Sequence, residues 1–239
     1  MLPKLYLIAG HTQGKDEGAQ NLQTKETENI IARNLLLQVF PEIQKEVFTD
    51  LCPFDLTLEE KTAWVNKKAG SDDVVLSCHL NSSPNRTEKG AMIFYYGGSQ
   101  KSKEMAEKLL DAYCKATGIQ NAGVHPDTSS RFGRLGIVRD TRGWSFLLEL
   151  GSINNDLQVV KTASAKGILA GIRAIIGKAE DLPFTDVDRS HPYFSAADWA
   201  KKQGIATGYG DGRLGVDETL TVGRFLAFLR KYDNVQKMG

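Results

Sequence analysis

Short apolar runs alternate with longer amphipathic stretches over the first 178 residues. Leu5-Tyr6-Leu7-Ile8-Ala9 reads as a buried strand ending at Gly10-His11. A polar, glycine-containing stretch follows. Apolar positions then recur at Ile31, Leu35 and Val39, with Ala32 and Leu36 beside them. That spacing marks one face of a helix, which Pro41 is expected to end. Glu46 to Thr49 is a candidate second strand. Thr57-Leu58-Glu59-Glu60 is a capping box and opens a helix reaching about Lys68. Val74 to Leu80 reads as a buried strand, framed by Asp72-Asp73 and by a loop starting in Asn81-Ser82-Ser83-Pro84. Ala91 to Tyr96 is another. From Gly97-Gly98-Ser99 a long helix turns Met105, Leu109, Ala112 and Tyr113 inward and stops near Gly118. Leu135–Val138 and Ser145–Leu150 are read as strands, Asp156–Thr162 and Ala165–Ile176 as helices.

This alternation predicts an α/β fold: a mixed, mainly parallel twisted sheet of about six strands flanked by helices. The texture changes at Gly177–Pro183, read as a linker. Beyond it lies a small, mostly helical unit, with helices at Ser195–Gln203 and Thr221–Lys231 around Gly208-Tyr209-Gly210-Asp211-Gly212. Trp199, Phe225 and Phe228 are its expected core. The expected division is residues 1–177 and 178–239.

Composition narrows the partners. The 239 residues include 30 Lys and Arg against 29 Asp and Glu, a net charge of +1 that gives no footing for nucleic-acid binding. No run approaches the roughly 18 apolar residues of a membrane helix. The apolar start at Leu5 is too short for a signal-peptide core, so synthesis in the cytoplasm without a signal peptide is expected. Cys52, Cys78 and Cys114 are odd in number and widely spaced, which suggests neither a disulfide framework nor a zinc ribbon.

The candidate chemistry sits at strand ends. His11 follows the first strand and His79 follows Val74–Cys78; in open α/β sheets this edge is where ligands collect. Taken alone, His79 is equally well a satisfied half-buried histidine. Glu28 opens the first helix. Two imidazoles and a carboxylate with a fourth position open form a catalytic zinc shell, and no H-E-x-x-H is present to form a helix-borne one. Glu149 lies in Phe146-Leu147-Leu148-Glu149-Leu150-Gly151, where a carboxylate is costly unless it is paired or used. Beside a metal it would be poised as a general base.

In this order, Leu7-Ile8-Ala9-Gly10-His11, Asp16-Glu17-Gly18-Ala19, the helix-opening glutamate, Ser77-Cys78-His79-Leu80-Asn81 and Leu148-Glu149-Leu150-Gly151-Ser152-Ile153-Asn154-Asn155 resemble the zinc-dependent N-acetylmuramoyl-L-alanine amidases of autolysins and phage endolysins. The resemblance covers about residues 4 to 177. It implies a Zn2+ cofactor held by His11, Glu28 and His79, catalysis by Glu149, and peptidoglycan as substrate. Both Glu26 and Glu28 lie near the helix start. Counting from Glu28, the third, seventh and eleventh following residues are Ile31, Leu35 and Val39. Counting from Glu26, the seventh is Arg33, so helix phase favours Glu28. Asn81 is expected to shape the pocket, or else simply to form a turn. Arg139, ending a predicted strand, is a candidate contact for a peptide carboxylate, or a solvated arginine. His125 is read as a loop residue.

Phe184-Thr185-Asp186-Val187, Trp199-Ala200 and the Gly208–Gly212 turn resemble one S-layer homology module. That resemblance implies attachment to a wall polymer. Thr221-Val222-Gly223-Arg224 puts a valine where the module has its polymer-binding arginine, which leaves self-association as the other role. The function implied is an endolysin cutting the bond between N-acetylmuramic acid and L-alanine, released through a holin-type membrane hole. Two alternatives stay open: a wall-binding protein with a degenerate amidase domain, and a zinc carboxypeptidase acting on stem peptides.

Overall fold

A computed structural model describes residues 3–83, 87–131, 133–176, 183–187 and 191–237. It forms two compact units, one of residues 3–44 and 48–177, the other of residues 178–239 with 45–47. Most of the expected linker, residues 177–182, lies outside the described residues.

The larger unit is a six-stranded sheet: β1 (Leu5–Ala9), β2 (Thr49–Leu51), β3 (Val74–Asn81), β4 (Ala91–Tyr95), β5 (Asn121–Pro126) and β6 (Trp144–Ser152), in the order β2-β1-β3-β6-β4-β5. Every adjacent pair is parallel except β4 against β6. Tyr6, Ile8, Val75 and Leu147 share one core cluster with Val65, Ala69, Ile137 and Val138. That face is covered by α2 (Leu58–Asn66) and α4 (Gly136–Arg139). Helices α1 (Glu28–Ile43), α3 (Gln100–Thr117) and α5 (Leu157–Ile176) pack together elsewhere on the sheet. Side chains alternate along a strand, so His79, four residues on from Val75, and Glu149, two on from Leu147, fall on the α2/α4 face. Cys78 falls on the other. Residues 79 and 149 are neighbours in the β3–β6 register.

The helix signals are realised in detail. Thr57 and Glu60 form the reciprocal capping box, and Gly118 closes α3 in the left-handed conformation at φ 77°.

Several expectations need correction. The six strands are not the six expected, because Leu135–Val138 is not a strand. Residues 136–139 form the single-turn helix α4, which buries the adjacent Ile137 and Val138. An apolar run this short has no periodicity to separate helix from strand. The sixth strand is β5, which carries His125 in place of the expected loop. Pro41 does not end α1, which continues to Ile43. The hydrogen bond it forgoes would reach the carbonyl of Leu37, on an exposed turn where water can substitute. The helices expected at 156–162 and 165–176 are one continuous α5, because Ser164 at the expected break is buried and hydrogen-bonded to the Tyr113 hydroxyl at 2.5 Å. Strand β2 also begins at Thr49, three residues later than expected.

The smaller unit contains α6 (Phe194–Lys202) and α7 (Val222–Gln236). Its core is Phe184, Val187, Phe194, Ala197 and Ala206, with Phe228 packed on it. Asp186 accepts backbone N–H bonds from Leu214 and Gly215, each at 2.7 Å, and so holds the glycine-rich turn. Trp199 on α6 and Phe225 on α7 are not core residues: each is 48% exposed, because each lies on a helix face that no other element of the unit fully covers.

Candidate metal centre and active site

At the carboxyl ends of β1 and β3 the chain gathers His11, Glu28 and His79. One ligand-type atom from each lies within 4.8 Å of the others. Glu28 is the hub. Its Oε2 lies 3.1 Å from His11 Nε2 and its Oε1 lies 2.9 Å from His79 Nδ1. The backbone N–H groups of Ala19 and Leu80 donate to the same two oxygens. Glu28 opens α1, whose buried face of Ile31, Leu35 and Val39 sets its phase. Glu26 points elsewhere and pairs with Lys161 at 2.7 Å.

Two glycines make the approach possible. A Cβ on Gly10 would stand 2.5 Å from the His79 ring. One on Gly18 would stand 2.4 Å from the His11 ring and 2.8 Å from the Glu28 carboxylate. His11 itself has a φ of 60°, a conformation that costs a non-glycine residue on the order of 1–2 kcal/mol. The turn from Thr12 to Asp16 holds it there, closed by Thr12 N–H to the Asp16 carbonyl at 2.7 Å. The Asp16 carboxylate accepts from His11 Nδ1 at 2.8 Å, which leaves Nε2 facing Glu28.

Electrostatics separates the two glutamates. Burial opposes a charge on Glu28, yet its bonds to His11 and His79 hold its carboxyl well below the ordinary range. Burial likewise opposes a charge on His11, and its bonds to Glu28 and Asp16 overcome this and carry it to about 9. For Glu149, burial and the nearby Glu28 carboxylate push the carboxyl up to about 8, while His11 and Arg131 pull the other way. Glu149 Oε2 is shielded from solvent and has no hydrogen-bond partner. A buried carboxyl oxygen without a donor, beside two imidazoles and a carboxylate, fits a divalent cation of the zinc type, which takes nitrogen and oxygen ligands together and would displace the imidazole protons.

A cleft of about 1090 Å³ opens onto this group, with Asn81, Met92, His125, Arg131 and Arg134 on its walls. Asn81 is the last residue of β3, and its carbonyl accepts from Ile153 N–H at 2.9 Å. His125 is on the cleft wall because β5 lies beside β4, where its ring is 5.8 Å from Phe94. Arg139 ends α4, not a strand, and is not on the cleft wall. Its guanidinium donates twice to the fully buried Asp127, at 2.7 and 2.8 Å. Asp16 and Lys61 also line the cleft and are not among the site residues that the sequence predicts. Asp16 had a signal, a carboxylate one tight turn from His11; Lys61 had none, because it sits on a helix separate in sequence.

A twisted α/β sheet whose strand ends collect two imidazoles and two carboxylates in one cleft is built for hydrolysis. A family model described as N-acetylmuramoyl-L-alanine amidase matches residues 5–175, and the chain belongs to that family of peptidoglycan hydrolases. A second model, the S-layer homology domain, matches residues 183–221. Similar solved structures include the catalytic domain of CwlV, an N-acetylmuramoyl-L-alanine amidase from Bacillus (Paenibacillus) polymyxa var. colistinus. It is 25% identical over 72% of this chain and 97% of that one, with a TM-score of 0.60. An N-acetylmuramoyl-L-alanine amidase from Clostridium difficile 630 is 20% identical over 72% and 95%, with a TM-score of 0.59. The catalytic domain of an endolysin targeting Clostridia Difficile is 22% identical over 74% and 98%, with a TM-score of 0.57. No curated protein matches the chain.

Proposed function

We propose that this chain is a zinc-dependent endolysin that cuts the amide bond between N-acetylmuramic acid and L-alanine of peptidoglycan. The observation that carries the reading is the convergence of His11, Glu28 and His79 beside the unpartnered Glu149 carboxyl. His11 Nε2, His79 Nδ1 and a Glu28 oxygen would hold the ion. Zinc, when bound, supplies Lewis acidity and brings the pKa of a water towards neutrality. With a cation beside it Glu149 is favoured in its ionised form, and this carboxylate accepts a proton from the attacking water as the water oxygen bonds to the lactyl carbonyl carbon. When the carbon–nitrogen bond breaks, Glu149 gives that proton to the departing L-alanine nitrogen. The products are a lactyl carboxylate and a free stem peptide. Asn81, on the cleft wall, shapes the substrate pocket.

Mass analysis of digested peptidoglycan tests this reading. Intact stem peptides freed from an unbroken glycan support it. Release of a terminal amino acid points to a carboxypeptidase, and the absence of any product from zinc-loaded protein points to a wall-binding protein. The endolysin role predicts that cells making the protein in their cytoplasm lyse only after their membrane is opened.

The domain division proposed is a catalytic unit of residues 1–177 and a wall module of residues 178–239. Truncation after Gly177 should leave hydrolysis of soluble muropeptides intact and weaken lysis of whole walls. Loss of soluble-substrate activity by a folded truncate would refute the division.

For the module, a wall polymer is the partner that the S-layer homology match suggests. A second reading rests on α7, where Val222 is 75% exposed, Leu226 58% and Leu229 46%. These residues and Phe225 lie along one helix face. A contiguous exposed apolar stripe of this kind marks an interaction surface. A two-fold pairing of α7 with a second copy would cover it. A monomeric mass at micromolar concentration rules this out.

A further inference from the structure

The end of β1 is held by side chains from outside the sheet. Three successive carbonyls, those of Ala9, Gly10 and His11, each accept from a buried polar group. Lys61 Nζ donates to Ala9 at 2.8 Å and to His11 in a short contact. Asn29 donates to Gly10 at 2.8 Å. Asn29 adjoins Glu28, so that anchor belongs to the helix already carrying a ligand. Lys61 comes from α2, which contributes no ligand.

Burying an ammonium group is costly unless it is fully engaged. Lys61 is only 4% exposed, and burial lowers its pKa. No carboxylate pairs with it in a salt bridge among the described residues; it spends its hydrogen bonds on the carbonyls of Ala9 and His11, on either side of Gly10. One of those two residues, His11, is held at a φ of 60°. The same segment is tied down at two further points. The Thr12 hydroxyl donates to the Leu56 carbonyl at 2.9 Å, and Gln13 N–H donates to the Phe54 carbonyl at 2.9 Å. The Thr57–Glu60 capping box sets the first turn of α2 and so fixes where Lys61 emerges.

We infer that Lys61 is a positioning residue for the metal site: its ammonium holds the strained backbone of His11 so that Nε2 meets Glu28 and His79. This rests on His11, Glu28 and His79 being the metal ligands, as proposed above. Outer groups that orient ligands typically change metal affinity by about 10–100-fold when removed.

The test is zinc affinity, measured on the full chain by competition with a chelating dye, together with the melting temperature of the metal-free protein. Lys61→Met, which keeps the length and removes the donors, should weaken zinc binding about 10–100-fold. Lys61→Arg, which keeps charge and donors, should recover most of that loss. With cobalt(II) as probe, the visible spectrum of Lys61→Met should differ from that of the wild type, reporting altered ligand geometry. A lysine that merely supports the fold would lower the metal-free melting temperature and leave zinc affinity of the folded protein unchanged, and that result overturns the inference. If Lys61→Met does not fold, Lys61→Gln is read instead: an intermediate loss supports the role, and wild-type affinity refutes it. His79→Ala separates the two proposals. If His79→Ala abolishes zinc binding and the Lys61 variants do not weaken it, only the present inference fails. If His79→Ala binds zinc normally, the ligand assignment itself fails.

Discussion

Helices α1 and α7 are nearly equal in length, at 16 and 15 residues, and both carry apolar residues at helical spacing. Their fates differ. In α1, Ile31, Leu35, Leu36, Val39 and Ile43 are all buried. In α7, Phe225, Leu226 and Leu229 are all at least 46% exposed. An isolated helix of this length is marginal in water, so most of its stability must come from packing. Helix α1 has that packing within its own unit, and its first residue can serve as the hub of the site. The contrast teaches that periodicity identifies a face in need of cover but does not say whether the same chain supplies it.

Four predictions probe this contrast between a helix covered within its own unit and a helix left exposed. The largest effect is expected from His79→Ala, which should abolish zinc uptake and turnover alike, in the full chain and in a chain ended at Gly177. A difference between those two backgrounds would break the contrast. Next, Glu149→Gln should keep zinc while losing at least about 10²-fold in rate. Near-normal turnover of purified peptidoglycan by this variant would exclude Glu149 as the base.

Leu35→Ala and Leu226→Ala compare the helices directly. The first should cost about 2–5 kcal/mol of stability by denaturant titration. The second should stay within about 0.5 kcal/mol, and its effect should appear in solution mass. Equal costs would mean that α7 is already covered within one chain.

The last prediction concerns pH. Glu149 is raised from its ordinary value of 4.5 to about 8 in the fold. Between those values the metal-free fold keeps a proton that the unfolded chain has lost. Its contribution to stability is therefore complete below about 4.5 and is lost as pH rises through about 8. The melting temperature of the metal-free protein, relative to Glu149→Gln, should fall over that window and be flat above it. Both proteins share His11 and Glu28, so the difference isolates Glu149. A constant difference from pH 5 to pH 8 would refute the raised pKa.

Much of the larger unit was legible because its signals are local. The capping box at Thr57, the stop at Gly118 and the buried face from Ile31 to Val39 each lie within a few turns of chain. Helix phase also separates Glu26 from Glu28: Glu26 faces Lys161, and Glu28 faces the histidines. What escaped depends on long-range pairing. Asn121–Pro126 carries two residues that disfavour strands, Gly123 and Pro126, and it becomes β5 only because β4 offers an open edge. Leu135–Val138 has strand-like composition but packs as one helical turn against β6. Lys61 was invisible as a site residue because its hydrogen bonds reach about 50 residues back along the chain, to a strand end.

The three thiols carry a consequence of another kind. Cys52 and Cys78 are buried, and burial pushes both up to about 12; Cys114 is half-buried and pushed up to about 11. A thiol reacts with oxidants and electrophiles through its thiolate, and at neutral pH these three supply almost none. Cys78 adjoins His79 in sequence, yet it turns to the other face of β3, away from the cleft. The protein should therefore be indifferent to redox conditions, with the same activity in a reducing cell interior and in an oxidising exterior, and should withstand alkylating reagents without loss.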